Sequence, residues 1–158
     1  MKTQYLFGLM ILLISVSNAY IRFKYHNGDE VLRQLQLLND PNAGASSEPP
    51  TYVLFFYNDP GTDRDLRTTN DYFKDRLRSE VLEPEDTAPP SYIYAEVDAT
   101  DTYGNGYLVD RLSIDREQLK EKPTIVVMRN GFGYVIHGPT AINSVKTSLA
   151  ELTGESDK

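Results

Sequence analysis

The sequence predicts one α/β domain on a mixed sheet, with three parallel-type strands, a carboxyl-terminal antiparallel hairpin and helices on both faces. Three observations carry this. Residues 51–57 (TYVLFFY) form an unbroken β-branched and aromatic run, the pattern of a strand covered on both faces. Strand-like and helix-like stretches alternate through the first two-thirds of the chain, which favours parallel strands joined by helices. Finally, Arg129-Asn130-Gly131 separates two apolar runs, and Asn-Gly accepts the positive φ of a tight hairpin turn.

The elements follow in order. Residues 20–25 (YIRFKY) alternate apolar and basic after a leading apolar pair, as a short strand with one wet face does. Asn27-Gly28-Asp29 turns the chain. Val31, Leu32, Leu35 and Leu38 then recur at helical spacing, and Asn39-Asp40-Pro41 stops that helix. Residues 42–50 are rich in Gly, Ala, Ser, Glu and Pro and read as an exposed loop. After the buried strand, Asn58-Asp59-Pro60-Gly61 turns the chain. A long helix follows with Leu66, Phe73, Leu77 and Val81 on one stripe, ended by Pro84 and Pro89-Pro90. Residues 91–97 (SYIYAEV) are the next strand. Residues 98–106 are polar and glycine-containing and read as a loop. Tyr107, Leu108, Val109 and Leu112 suggest a short helix, and Asp115 with Gln118 caps a further turn. Pro123 leads into the strand 124–128, and 132–137 returns as its hairpin partner. Thr140 caps a last helix carrying Ile142, Val145, Leu149 and Leu152.

Composition narrows the function. The 158 residues carry a formal net charge of -7. That disfavours a nucleic-acid backbone, whose neutralisation needs clustered Lys and Arg. There is no cysteine, and His26 and His137 are the only histidines. Disulfides, cysteine-ligated metals and a thiol nucleophile are therefore excluded. No phosphate-binding glycine loop and no G-x-S-x-G occurs. The sequence implies no cofactor, no metal and no enzyme.

Residues 1–19 read as a targeting segment. Lys2 precedes an apolar run from Tyr5 to Val16, broken by Gly8 and Ser15, and Ser17-Asn18-Ala19 follows. A basic start, a short apolar core and a small-x-Ala exit are the grammar of a secretory signal. Cleavage after Ala19 is expected, placing the protein in the secretory pathway, secreted or in the endoplasmic reticulum lumen. The rival is an uncleaved anchor with the domain on one side of a membrane, since no charge falls between Thr3 and Ile21. The domain itself is expected over 20–152, with a polar tail at 153–158.

The segment KPTIVVMRNGFGYVIHGP (122–139) resembles the Pro-Thr strand, Asn-Gly hairpin and returning strand of the thioredoxin superfamily. YVLFFY (52–57) is similar to the strand that enters that family's active-site loop. Ala95-Glu96-Val97-Asp98 is similar to the strand that ends before its third helix. The likeness spans about 20–152. It implies a thioredoxin-like sheet and a cis Lys122–Pro123 bond. Where the family carries Cys-x-x-Cys, this chain reads Gly61-Thr62-Asp63-Arg64-Asp65. One alignment puts Thr62 and Asp65 at the cysteine positions, and a one-residue shift puts Gly61 and Arg64 there. The resemblance thus implies a redox-inactive relative, of a kind that binds peptides or proteins or serves as a structural subunit.

The expected function is a non-catalytic protein-binding or assembly module of the secretory pathway. The alternatives are a membrane-anchored structural subunit of a larger complex, and an enzyme using the acidic loop 59–65. Asp59, Asp63 and Asp65 would suit acid–base work or a cation, but Asp at a helix start equally satisfies free N–H groups. Asp98, Asp101, Asn105 and Asp110 do not fit a calcium loop, because Tyr103 and Leu112 occupy ligand positions. The expected partner is a protein or an extended peptide, with a membrane met only through residues 1–19. The expected binding face comprises Tyr57, Thr62, Asp63, Asp65, Tyr103, Lys122, Pro123 and Thr124. Tyr supplies contact area there, the carboxylates steer a basic partner, and the backbone beside Pro123 pairs with an extended segment.

Overall fold

The computed structural model describes residues 20–35, 49–83 and 92–154. The segment 1–19, Leu38, most of the 42–50 loop, the prolines after the long helix and the last four residues lie outside these. Five strands and four helices alternate as the sequence predicts: β1 (Tyr20–Arg22), α1 (Gly28–Gln34), β2 (Thr51–Tyr57), α2 (Arg64–Leu77), β3 (Tyr92–Asp98), α3 (Thr102–Arg111), β4 (Thr124–Arg129), β5 (Phe132–Ile136) and α4 (Ala141–Thr153). The sheet order is β1-β3-β2-β4-β5. β3 runs parallel to both β1 and β2, whereas β4 is antiparallel to β2 and to β5. This is the thioredoxin-like arrangement, a mixed sheet with helices on both faces.

The unbroken apolar run of β2 is explained by two cores. Leu54 and Phe56 face the side covered by α1 and α3, among Val31, Leu32, Leu108 and Val109. Val53 and Phe55 face the side covered by α2 and α4, among Phe73, Leu77, Ile142 and Val145. A central strand with helices on both faces has no wet side. The hairpin forms as Asn-Gly requires, with Asn130 at φ 51° and Gly131 at φ 78°.

Helix ends follow local chemistry. The Asn27 side chain accepts from Glu30 N at 3.2 Å, capping α1. A π-helical turn (Arg78–Leu82) continues α2 and buries Val81 and Leu82. α3 closes on Ser113, a serine at φ 55°. Ser113 N donates to Asp110 O and Ile114 N to Val109 O, both at 3.0 Å, which satisfies the last carbonyls in the Schellman manner. Thr140 occupies the cap position of α4 but its side chain makes no cap hydrogen bond.

Two expectations are corrected. Residues 98–106 are not all loop: α3 begins at Thr102, because Asp101 Oδ1 accepts from Gly104 N at 2.9 Å and caps it. Gly104 and Gly106 sit inside the helix. The Lys122–Pro123 bond is trans, as is every described peptide bond. A 3₁₀ turn (Gln118–Lys120) precedes it, and Glu121 N and Lys122 N both donate to Gln118 O at 3.0 Å. The chain leaves that closed turn straight into β4, so the prolyl bond keeps the isomer it favours by about 0.5–1 kcal/mol.

Candidate functional site

Strand register fixes which end of the molecule carries the predicted residues. Phe56 pairs with Thr124, so the loop after β2 lies where Pro123 leads into β4. Tyr57 pairs with Asp98, so the first turn of α3, with Tyr103, rises from the same end. The topology therefore gathers Tyr57, the 61–65 segment, Tyr103 and 122–124 at the carboxyl ends of β2 and β3. In open α/β sheets this is the end where ligands commonly bind.

The residues differ in what they present. Asp63 is the cap of α2: its Oδ1 accepts from Asp65 N and Leu66 N, each at 3.0 Å. Asp59 Oδ1 accepts from Gly61 N at 3.0 Å, and Arg67 reaches the Gly61 carbonyl at 2.5 Å. The 59–63 carboxylates are thus engaged in holding the loop and the helix start. Thr62 and Asp65 are exposed and Lys122 is half-buried. Pro123 is buried, and Thr124 is only 2% exposed, so these two form the floor of this end. Tyr103, by contrast, is fully exposed at 103%.

Tyr57 is half-buried at the mouth of a charged network. Lys74 Nζ lies 5.4 Å from its ring centre and 5.8 Å from that of Phe55, within cation–π range. The same ammonium pairs with Glu96 at 2.8 Å, and Arg22 meets the other Glu96 oxygen at 3.3 Å. Burial, with the carboxylates of Asp98, Glu96 and Asp59, raises the Tyr57 hydroxyl pKa. Beside it, Tyr25 donates to the Glu96 carbonyl at 2.9 Å. Burial and the neighbouring Tyr57 push the Tyr25 pKa up to about 12. Tyr25, Asp101 and Asn105 line an open groove of about 580 Å³ on this flank.

Two buried asparagines act as matched ties. Asn70 of α2 donates to Asn58 O at 3.1 Å, just past the end of β2. Asn105 of α3 donates to Asp98 O at 2.9 Å, at the end of β3. Each thus ties a helix to a backbone carbonyl at the end of the strand that precedes it. Their Oδ1 atoms and the Thr124 hydroxyl are the buried side-chain polar atoms without a hydrogen-bond partner among the described residues.

Sequence reasoning missed Lys74, Glu96 and Asn70 as parts of this end, weighed Asn105 only as a calcium ligand, and left Tyr107 out of the binding face. Tyr107 is 58% exposed and one turn beyond Tyr103, and the i, i+4 spacing that unites them was hidden by reading 98–106 as a loop. Among the described residues, no cluster of three or more His, Asp or Glu is placed to hold a metal ion. No described helix is long and apolar enough to cross a membrane.

No protein-family model matches the chain, and no curated protein matches it in sequence. Among solved structures, it is similar to the N-terminal domain of SasA from Synechococcus elongatus, at 16% identity and a TM-score of 0.48, covering 77% of this chain and 98% of that one. It is also similar to thioredoxin O2 from Arabidopsis thaliana, at 13% identity and a TM-score of 0.47, covering 85% and 95%. Thioredoxin from Trypanosoma brucei brucei is 12% identical with a TM-score of 0.44, covering 89% and 96%. Without a cysteine, this thioredoxin-like domain has no thiol chemistry.

Proposed function

We propose that this chain is a non-catalytic protein-binding module of the secretory pathway, and that it holds its partner at the carboxyl ends of β2 and β3. The observation that carries this reading is the aromatic pair Tyr103 and Tyr107, both held out in solvent on the first turns of α3. Exposed aromatic side chains cost solubility and are enriched where one protein meets another. They rise from the same end of the sheet as the 61–65 segment, where a redox relative would carry its cysteines. The acidic loop supports binding over catalysis, because Asp59 and Asp63 are engaged with backbone N–H groups. Asp65 remains exposed to steer a basic partner. The secretory placement rests on the residue pattern of 1–19, and intact mass from the natural source distinguishes a chain starting at Tyr20 from an anchored one.

The test is quantitative affinity purification of the full chain from its source, comparing the parent with Tyr103→Ala and Asp65→Lys. Both positions are exposed, so both variants should fold. Tyr103→Ala should leave thermal unfolding unchanged. Asp65→Lys puts a cation in the first turn of α2 and should cost up to about 1 kcal/mol through the helix dipole, so binding is compared well below the unfolding temperature of either. The same co-purifying proteins should fall several-fold with either variant. Asp63→Lys is unsuitable, since it removes the α2 cap along with the charge. If both variants retain every co-purifying protein at parental levels, this end is not the binding face.

A further inference from the structure

The two edges of the sheet are unlike each other. β1 forms one edge; Arg22, its last residue, and Lys24, two residues beyond it, are both exposed. Charged side chains, Lys above all, are how sheets prevent edge-to-edge pairing. β5 forms the other edge and carries no charge and no proline from Phe132 to Ile136. Three of its five residues are large, apolar and open to solvent: Phe132 at 75%, Tyr134 at 42% and Val135 at 46%. An edge that is apolar, uncharged and unguarded is a template for another strand.

We infer that β5 pairs with β5 of a second copy, joining two sheets across a two-fold axis at Tyr134. The hairpin fixes which backbone groups are open, and centring on Tyr134 is the register that pairs all five residues of the strand. Arg129 pairs with Phe132 across the two-residue turn, Val127 with Tyr134 and Ile125 with Ile136. Backbone bonding alternates along an antiparallel pair, so Gly133 and Val135 turn their N–H and C=O groups to the open edge. An antiparallel mate centred on Tyr134 brings Gly133 opposite Val135 of the second copy, and the reverse. Phe132 then faces Ile136, and the two Tyr134 rings face each other.

This arrangement is self-complementary, as a two-fold interface requires. On the α1/α3 side, exposed Val135 meets a position with no side chain. Gly133 is glycine for a local reason: a Cβ there would lie 2.0 Å from Val127 O. On the α4 side, the seam is aromatic and aliphatic, and such cross-strand pairs stabilise sheets. Shape selects the occupant: β5 itself supplies the glycine that leaves room for Val135, and it brings no charged side chain within the strand, while Glu151, on α4, accepts from the Tyr134 hydroxyl of its own chain at 2.8 Å. Because the β1 edge is guarded, the pairing closes at two copies and does not propagate.

The absence of cysteine makes the test clean, since one introduced cysteine gives one unambiguous cross-link. Residues facing each other in a non-bonded antiparallel pair have Cβ atoms about 4.5–5.5 Å apart, close to the span of a disulfide. In the full chain, Tyr134→Cys should give a disulfide-linked dimer under mild oxidation, and Ile21→Cys, exposed on the opposite edge, should not. Sedimentation equilibrium should show a reversible dimer for the parent and its loss in Val135→Lys. A parent that stays monomeric, cross-linking no greater at Tyr134 than at Ile21, or association that survives Val135→Lys would each overturn the inference.

Discussion

At the scale of single residues, the most informative side chain is Asp63. The sequence places it in an acidic cluster that invites a catalytic or cation-binding reading. The structure gives it a full-time task, because its one carboxylate oxygen satisfies two of the free N–H groups at the start of α2. An aspartate at a helix start is also favoured by the positive end of the helix dipole. The expected outcome of Asp63→Ala is a loss of about 1 kcal/mol of stability, the usual worth of such a cap. Asp63→Asn retains the accepting oxygen and should cost at most a few tenths of that figure. Chemical denaturation of the two variants checks this, and equal losses would show that the carboxylate charge outweighs the cap geometry.

At the scale of elements, one carboxylate joins three helical pieces. Glu80 sits in the π-helical turn after α2, where Arg76 of α2 donates to it at 2.5 Å and Lys146 of α4 at 2.6 Å. These two hydrogen bonds lower its pKa to about 2, against about 4.3 for an unperturbed glutamate. A depressed carboxylate pKa stabilises the fold above the unfolded value, and that contribution is lost as pH falls from about 4 towards 2. Glu80→Gln should therefore cost about 0.5–1 kcal/mol at neutral pH, given the partial exposure of all three groups. The variant should also lose less stability than the parent on acidification; parallel acid profiles would rule out this role. The pairing of Glu80 with Arg76 is legible in the sequence as an i, i+4 contact. Its pairing with Lys146 spans 66 residues and depends on how α4 packs. The same contrast runs through the fold. β2, the Asn-Gly hairpin and the stripe of α2 are local patterns and were legible. The start of α3 was not, because Gly104 and Gly106 mimic a loop unless the cap at Asp101 is weighed against them. At Gly104 a Cβ would lie 2.3 Å from Asp101 Oδ2, so glycine there leaves room for the capping carboxylate, and the small residue that lets α1 approach α3 is Gly28, whose Cβ would lie 2.6 Å from Leu108 Cβ. The gathering of the candidate face at one end was legible from strand order. The burial of Pro123 and Thr124 was not, since it depends on what lies above them.

At the scale of the whole molecule, tyrosine links both cores to the sheet. Tyr94 lies in the α2/α4 core, edge-on to Tyr20 with ring centres 5.6 Å apart. Tyr25 packs on the α1/α3 core and stacks with Phe23. Burial raises the hydroxyl pKa of both, and for Tyr94 the nearby Glu96 carboxylate adds to it. The sign follows from which form the fold prefers. A raised tyrosine pKa means that the folded protein favours the neutral phenol, while the unfolded chain ionises near pH 10. The stabilisation is therefore complete below about pH 10 and is lost as pH rises through the folded value, about 12 for Tyr25. Because one phenol sits against each core, ionisation should open both faces together. In an alkaline titration, tyrosinate absorbance from Tyr25 and Tyr94 should appear only as far-ultraviolet circular dichroism is lost. Tyr25→Phe and Tyr94→Phe should each make the unfolding free energy less steep in pH above about 10, because the slope counts protons released on unfolding. The Tyr25 variant gives up its hydrogen bond to the Glu96 carbonyl, a loss of about 0.5–1.5 kcal/mol, so slopes and not midpoints are the quantity to compare. Unchanged slopes in both variants would mean that alkaline unfolding is driven by general charge repulsion in an already acidic protein.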